Sequence, residues 1–405
     1  LGLAAFLMAV MSILPGIPTL PFLSLALLAG AAAYTITRHQ RKVVQVATQA
    51  QEKKAAAAPV LEEPISTALT IDAIRLELGY GLLSLINTER GHRLTDQIKA
   101  LRRQLATEMG FILPAVRIQD NLQINANSYV IRVKEIEAGR GDLRPNMIMV
   151  MDPRGDKIGM AGEETTEPAF GLPAMWVDPS AREEALFRGY TVVDPATVIT
   201  THLTEVVKEN MAELLSHAET QKLLDELPKE QQKLVADLIP SQISVGGVQR
   251  VLQSLLAERV SIRDLPNVLE GISEACGHSR NITSIVEHVR ARLARQLSDA
   301  ASDASGVIPL VTLSPEWEQS FLEAVRGEGE DRHLAMAPTQ LQQFIQAVRQ
   351  TFERFAIMGE TPVLLTSPGI RPFVRQIVER FRASTIVMSQ NEIHARAKIR
   401  TLGQI

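Results

Sequence analysis

The sequence predicts a two-part protein of mixed class. Two transmembrane helices, the first truncated, precede a multi-subdomain cytoplasmic region of α/β and α parts. Three observations carry this reading. Residues 1–37 contain no Lys, Arg, Asp or Glu, so every charge behind the net −4 of the 405-residue chain lies after them. Beyond residue 70, strand-like alternation and helical periodicity come in separate blocks. The composition shifts near 152, 190, 216 and 298, which divides those blocks into subdomains.

The overall figures exclude several classes. A hydrophobic fraction of 45% and a charged fraction of 22% lie near the globular average. That rules out wholesale disorder and a polytopic bundle over the full length. Lys+Arg 42 against Asp+Glu 46 leaves no basic excess for non-specific nucleic-acid binding. The single cysteine, Cys276, excludes an internal disulfide framework and a Cys-built zinc site, and fits a reducing compartment.

The first element is Leu1–Leu14, too short to cross a roughly 30 Å hydrocarbon core alone and read as the tail of a longer helix. Pro15-Gly16-Ile17-Pro18 breaks it, because proline lacks a donor and fixes φ. Thr19–Thr37 approaches spanning length, so 1–37 is expected to be a transmembrane hairpin. Arg38, Arg41 and Lys42 follow at once and place the remainder in the cytoplasm. Residues 38–70, with Pro59 and Pro64, read as a linker too polar for a core of its own.

Residues 71–151 with 191–215 are expected to form a first α/β subdomain. Its opening is apolar around Gly79-Tyr80-Gly81, where two glycines permit an unusual φ or a close approach. No GxGxxG loop follows, since Ser84 stands where the third glycine would be. Leu94, Ile98, Leu101, Leu105 and Met109 recur at helical spacing, and Gly110 fits the C′ position. Ala115–Gln119, Tyr129–Ile136 and Asn146–Met151 read as strands, with a turn at Gly139-Arg140-Gly141-Asp142. Residues 152–190, rich in Gly, Pro and acid, read as a small inserted subdomain. Thr191–Val193 is then a strand. Asp194 is an N-cap with Pro195 at N1, opening a helix to Leu215.

Residues 216–297 are expected to be helical, punctuated by Pro228 and Pro240. Ile282–Leu297 reads as one helix carrying Arg290, Arg292 and Arg295. Short helices plus a basic one leave a membrane-tethered winged-helix DNA-binding regulator as a lesser alternative. Residues 298–405 read as a second α/β subdomain after a polar linker, Ser298–Ser305. Strand Val307–Leu313, a helix through Leu341, Phe344, Val348 and Phe352, strand Thr361–Thr366, helix Pro368–Ala383 and strand Thr385–Met388 suggest parallel crossovers. Arg371, Arg375, Arg380 and Arg382 read as a solvated or subunit-facing helix face.

Catalytic signatures are missing. GxxxxGK[ST], HExxH, GxSxG and EF-hand spacing do not occur. The eight histidines are scattered, and His202 reads as structural. Glu163-Glu164 is a loop pair, not a general acid/base pair. The expectation is a binding and assembly protein, not an enzyme, with no cofactor and no metal.

Several segments become specific in combination. Pro15-Gly16-Ile17-Pro18 separates two apolar runs, and Leu78-Gly79-Tyr80 precedes the Leu94 helix. Met109-Gly110-Phe111 leads to Val116-Arg117-Ile118-Gln119-Asp120-Asn121. Pro168-Ala169-Phe170-Gly171-Leu172, Trp176, Gly189-Tyr190-Thr191-Val192-Val193 and Thr200-Thr201-His202-Leu203 come next. Val251-Leu252-Gln253, Leu255-Leu256-Ala257-Glu258 and Ile262-Arg263-Asp264 complete the series. Their order and spacing resemble the FHIPEP family, the export gates of flagellar and virulence type III secretion, over essentially the whole chain.

The resemblance implies the C-terminal part of an export gate in the bacterial inner membrane. It favours a flagellar gate over an injectisome one. Its cytoplasmic region would form a nine-membered ring and receive export chaperone–substrate complexes. Other export-gate membrane proteins, export ATPase components, further copies of itself and membrane lipid are the implied partners; nucleic acid is not. The family's docking dimple maps its acid and its aromatic to Glu167 and Phe170, and its threonine to Thr201. Glu167 departs from the family's Asp by one methylene. Phe170 would supply apolar area, Glu167 a rim charge for register, and Thr201 a polar handle. Leu172, Val193 and Val198 would line the apolar floor. Gly79, matching the family's Gly before Tyr, would be a conformational hinge. The family's linker contact, an acid followed by an aromatic, is not met where Glu62 precedes Ile65.

Overall fold

A computed structural model describes residues 71–87, 94–327 and 329–405. The expected transmembrane hairpin (1–37) and linker (38–70) lie outside the described residues. Among the described residues no helix is long and apolar enough to cross a membrane. Their fold is mixed α/β and α.

The first sheet has the order β2-β1-β3-β4. Its central strand β1 (Ile74–Leu78) pairs in parallel with β2 (Val116–Asp120) and antiparallel with β3 (Ser128–Val133). A short helix α1 (Ser84–Asn87) and α2 (Leu94–Met109) supply the crossover from β1 to β2. α2 buries Leu94, Ile98, Leu101 and Leu105, the stripe that the spacing predicted. Gly110 ends it at φ +68°, a left-handed C′ that glycine adopts freely. β4 (Ile136–Asp142) completes the sheet, antiparallel to β3.

The β3–β4 junction corrects the sequence reading. The turn is at Lys134 and Glu135, both at positive φ (46° and 70°), the two-residue hairpin conformation. Lys-Glu carries no turn signal, so composition did not reveal it. Gly139 and Gly141 lie inside β4 instead. A Cβ at Gly139 would sit 2.7 Å from His202 Nε2, and one at Gly141 2.7 Å from the Tyr129 hydroxyl. These glycines serve close packing, not a turn.

The second sheet has the order β6-β7-β5-β8 and is antiparallel throughout. Its strands are β5 (Ile148–Met151), β6 (Glu163–Thr166), β7 (Pro173–Val177) and β8 (Thr191–Val193). The observed sheet therefore runs from Ile148 to Val193, beyond 152–190 on both sides. Alternation gives it two buried faces. Ile148, Val150, Met175 and Val177 form a separate small core with Ala185 of α3 (Arg182–Phe187). Met149, Ala174 and Trp176 face the main core.

The helix α4 (Pro195–Leu214) touches β3, β4 and β5, as well as α2. Asp194 caps it, its Oδ1 accepting from Thr197 N–H at 2.7 Å, with Pro195 in the first turn. Six further helices follow: α5 (His217–Asp225), α6 (Lys229–Leu238), α7 (Val245–Ala257), α8 (Leu265–Cys276), α9 (Ile282–Arg292) and α10 (Ala294–Ala300). Ser216, Ser244, Asp264 and Asn281 cap four of them through side-chain oxygens. The single helix expected over Ile282–Leu297 is broken at Leu293. Ser298 is not linker but buried in α10, where its Oγ accepts from His394 N–H at 2.8 Å.

The last region contains β9 (Val307–Thr312), α11 (Pro315–Ala324), a small ribbon of β10 (Val325–Arg326) and β11 (His333–Leu334), and α12 (Pro338–Ile357). β12 (Val363–Thr366), α13 (Arg371–Val378), β13 (Val387–Ser389) and β14 (Lys398–Gln404) follow. The main sheet is wholly parallel, in the order β13-β12-β9-β14. Both faces are covered, as such sheets require. Ile308, Leu310, Val363 and Met388 face the main core, while Val311, Leu364 and Val387 face α11, α12 and α13. The helix expected over Pro368–Ala383 shrinks to α13.

Candidate docking site

Glu167 follows β6 and begins the loop that turns the chain into β7. Its N–H donates to Leu172 O, and Gly171 N–H donates back to Glu167 O, both at 2.9 Å. Gly171 sits at φ +68°, so the loop closes through a left-handed residue. The Glu167 carboxylate folds inward. Oε1 accepts from Ala169 N–H at 2.9 Å and Oε2 from Phe170 N–H at 2.6 Å. The residue is 2% exposed. The expectation of a rim charge is therefore corrected: the loop's amides face its interior and take both oxygens.

Phe170 is the outward product of that loop, with 60% of its surface exposed. Leu172 is half-buried beside it. Val193 ends β8 and is half-buried against the main core. Val198 is buried in that core, so it lies beneath a surface instead of forming one. Thr201 is half-buried on α4. Among these residues only Phe170 presents a large exposed apolar side chain.

His202, next to Thr201, is buried, and its Nδ1 lies 2.8 Å from the Tyr129 hydroxyl. Burial pushes the Tyr129 phenol well above its usual range, and the Glu167 and Asp142 charges add to this. Burial pulls the His202 imidazole down, which the Glu167 charge partly opposes. A protonated phenol donating to a neutral imidazole satisfies both, which assigns the ring proton to Nε2. The two loop amides that Glu167 accepts from, and its burial, place its carboxylate on the inner side of the loop. Sequence reasoning missed Tyr129; its partner lies 73 residues away.

Gly79 has an ordinary extended backbone (φ −65°, ψ 154°). Its constraint is space: a Cβ there would lie 2.1 Å from Asn125 O and 2.5 Å from Ala126 O. Of the two readings of that glycine, close approach is the one the geometry meets.

The run Arg371, Arg375, Arg380 and Arg382 is only partly solvated: Arg380 is exposed, but the first two are not. Arg371 is 2% exposed, not solvated. It donates to Glu258 at 2.7 and 2.9 Å, and to Glu287 at 2.7 Å from Nε. Arg290 is equally buried and meets Glu392 at 2.6 Å and Glu258 at 3.2 Å. Arg375, also largely covered, donates to Thr385 O at 2.8 Å. Burial works against ionised Glu258, yet Arg290, Arg371 and Arg375 outweigh it and its carboxyl is shifted down. For Glu287 burial prevails and the shift is upward. This cluster ties α7 and α9 to α13 and to the turn at Gln390–Glu392. Arg292 is paired with Glu270 and Glu274. The basic helix on which a winged-helix reading leaned is thus largely spent on internal pairs.

Among the described residues no group of His, Cys, Asp and Glu could hold a metal ion.

The FHIPEP family pattern matches residues 1–398. The flagellar biosynthesis protein FlhA of Caulobacter vibrioides is 56% identical over 405 residues, covering 100% of this chain and 58% of that protein. The chain thus spans a little over half the length of that relative. The Chlamydia pneumoniae CdsV structure superposes with a TM-score of 0.72 at 26% identity, covering 83% of this chain and 97% of CdsV. CdsV also has a solved complex with CdsO, with a TM-score of 0.72 at 25% identity, covering 82% of this chain and 97% of that one. Nonameric EPEC SctV-C shares the fold, with a TM-score of 0.68 at 20% identity over 83% of this chain and 99% of that one. On the match to residues 1–398, the chain belongs to the FHIPEP family.

Proposed function

We propose that this chain is the C-terminal part of a flagellar type III export gate, and that its folded region docks chaperone–substrate complexes. It acts by binding, not by turnover. It belongs in the bacterial inner membrane, with residues 72–405 on the cytoplasmic side. Nine copies form a ring, and the ring meets other gate proteins and components of the export ATPase. The 56% identity to a flagellar relative favours the flagellar apparatus over the injectisome, whose proteins here reach 26%.

The observation that carries the docking role is Phe170, an aromatic held 60% exposed on a hydrogen-bonded hairpin loop. Exposed aromatics on rigid loops make efficient anchors because little side-chain entropy is lost. Thr201 and Leu172 supply polar and apolar surroundings. Titration calorimetry of Phe170→Ala against the cognate export chaperone bound to its substrate tests this. Loss of an anchor costs about 2 kcal/mol, roughly thirtyfold in affinity. Unchanged affinity would overturn the assignment.

A further inference from the structure

We propose that a cavity beside the buried arginine cluster binds a peptide segment through one carboxylate flanked by apolar side chains. Arg375 makes the contact, with Arg290 behind it. The inference stands apart from the docking reading of Phe170. The cavity measures about 1120 Å³. Its walls come from the end of α2, the α7–α8 connection, α10 and the connection from α13 to β13.

The charges at its floor are incompletely paired. Arg290 lines the cavity and is 1% exposed. Its Nη2 donates to Glu392 Oε2 at 2.6 Å, but its Nε and Nη1 have no hydrogen-bond partner among the described residues. Arg375 also lines the cavity. Its Nη1 donates to Thr385 O at 2.8 Å and Ala383 O at 3.3 Å, while its Nε has no such partner among the described residues. The nearby acid is Glu258, and both its oxygens accept from Arg371, at 2.7 and 2.9 Å. It lies 3.2 Å from Arg290 Nη1 and 3.9 Å from Arg375 Nε. One carboxylate thus serves three guanidiniums, and Arg371 holds it best. Burial pulls the Arg375 guanidinium below its usual range; Glu258 and Glu379 oppose this, and Arg371 and Arg290 add to it.

Buried donors without acceptors are costly, and a ligand oxyanion would satisfy them with charge-assisted bonds. The rest of the lining says what carries that oxyanion. Met109, Val260, Leu297 and Ile386 line the cavity, and Ile386 is 45% exposed. A bare anion would leave this apolar surface in water. Glu108, Glu209, Asp264 and Asp299 line it too, so a doubly charged phosphate is repelled more than a single carboxylate. The volume exceeds the roughly 300–1,000 Å³ of small-molecule pockets. A short peptide with one acid among apolar residues meets all three conditions.

The test uses the full chain in lipid nanodiscs and two fluorescein-labelled hexapeptides of leucine and serine. One carries a central glutamate and the other glutamine in its place. Fluorescence anisotropy is expected to show the glutamate peptide binding roughly tenfold more tightly, the factor for a charge-assisted bond. Arg375→Gln is expected to make the two peptides equal. Ile386→Glu adds an acid to the cavity wall at a half-exposed position and is expected to abolish binding of the glutamate peptide. Both variants are first checked for the wild-type urea midpoint; where Arg375→Gln shifts it, Ile386→Glu decides. Phe170→Ala is expected to leave the peptide affinity unchanged. No binding of either peptide, equal affinities in the wild type, or unchanged affinity in Ile386→Glu would overturn the proposal and leave a cavity that holds water. Displacement of the peptide by inorganic phosphate at equal concentration would make this a simple anion site. Loss of peptide binding in Phe170→Ala would move the peptide to the β6–β7 loop and overturn the assignment.

Discussion

Arg290 Nη2 lies 2.6 Å from Glu392 Oε2, and both side chains are almost fully withdrawn from solvent. The pair joins α9 to the turn after β13. Arg371 completes the cluster by reaching Glu258, Glu287 and Glu392 together. Buried ions are stable only when each has its counter-ion, so the cluster is sensitive to any single loss.

Arg371→Met should therefore destabilise the chain by about 3–5 kcal/mol, because three carboxylates lose their shared partner in a buried setting. Urea denaturation followed by circular dichroism reads this. Arg295→Ala, at an exposed position of α10, should stay within about 0.5 kcal/mol. Equal effects for the two would refute the assignment of a buried ionic tie.

The sequence held a signal for this cluster that charge counting obscured. Arg371 shares its helix face with Val374 and Val378, three and seven positions on, both buried. Arg290 stands four positions after Val286, also buried. Helical phase placed both arginines inside, whereas a run of like charges suggested solvent. The amphipathic α2, the Asp194 cap and the parallel strands were legible because local spacing determines them. The Lys134–Glu135 turn was not, since its residues carry no left-handed preference. Phe170 was legible as a candidate from the family resemblance. The inward fold of Glu167 depends on where two loop amides point, which residue identity alone does not determine.

His202 predicts a pH effect. Burial lowers its folded-state pKa below the ordinary histidine value. The unfolded chain therefore binds the proton first as pH falls, and stability decreases with pH below about 6.5. The contribution is fully present above that value and is lost as pH falls through the folded pKa. Thermal melts of the wild type and His202→Gln from pH 7.5 to 5.5 check this. The difference between their Tm values should narrow with acidification. A constant difference would show that His202 does not titrate differently on folding.

Gly79→Ala should destabilise by about 1–3 kcal/mol even though its φ suits any residue, since the new Cβ meets two backbone carbonyls that no rotamer change can move. Gly155→Ala is the contrast: its φ of +79° is unfavourable, but nothing lies within 4 Å of a Cβ there. Its cost should be only that of the backbone, about 1–2 kcal/mol. Hydrogen exchange distinguishes the two. Gly79→Ala should loosen the β1–β3 amides, including Gly79 N–H to Ser128 O, while Gly155→Ala should leave them protected.

Exposure alone does not make an anchor, and Phe187 provides the control. It is 95% exposed at the end of α3, more than Phe170 at 60%. Phe187 ends a six-residue helix, whereas Phe170 sits in a loop whose backbone is held by its own hydrogen bonds. Single exposed apolar residues are common on protein surfaces and need no partner. Phe170→Ala and Phe187→Ala should both leave unfolding free energy within about 0.5 kcal/mol of wild type. Only Phe170→Ala should weaken binding of the chaperone–substrate complex. If Phe187→Ala causes the larger loss, the anchor belongs on α3, and the β6–β7 loop is a structural hairpin with an incidental aromatic.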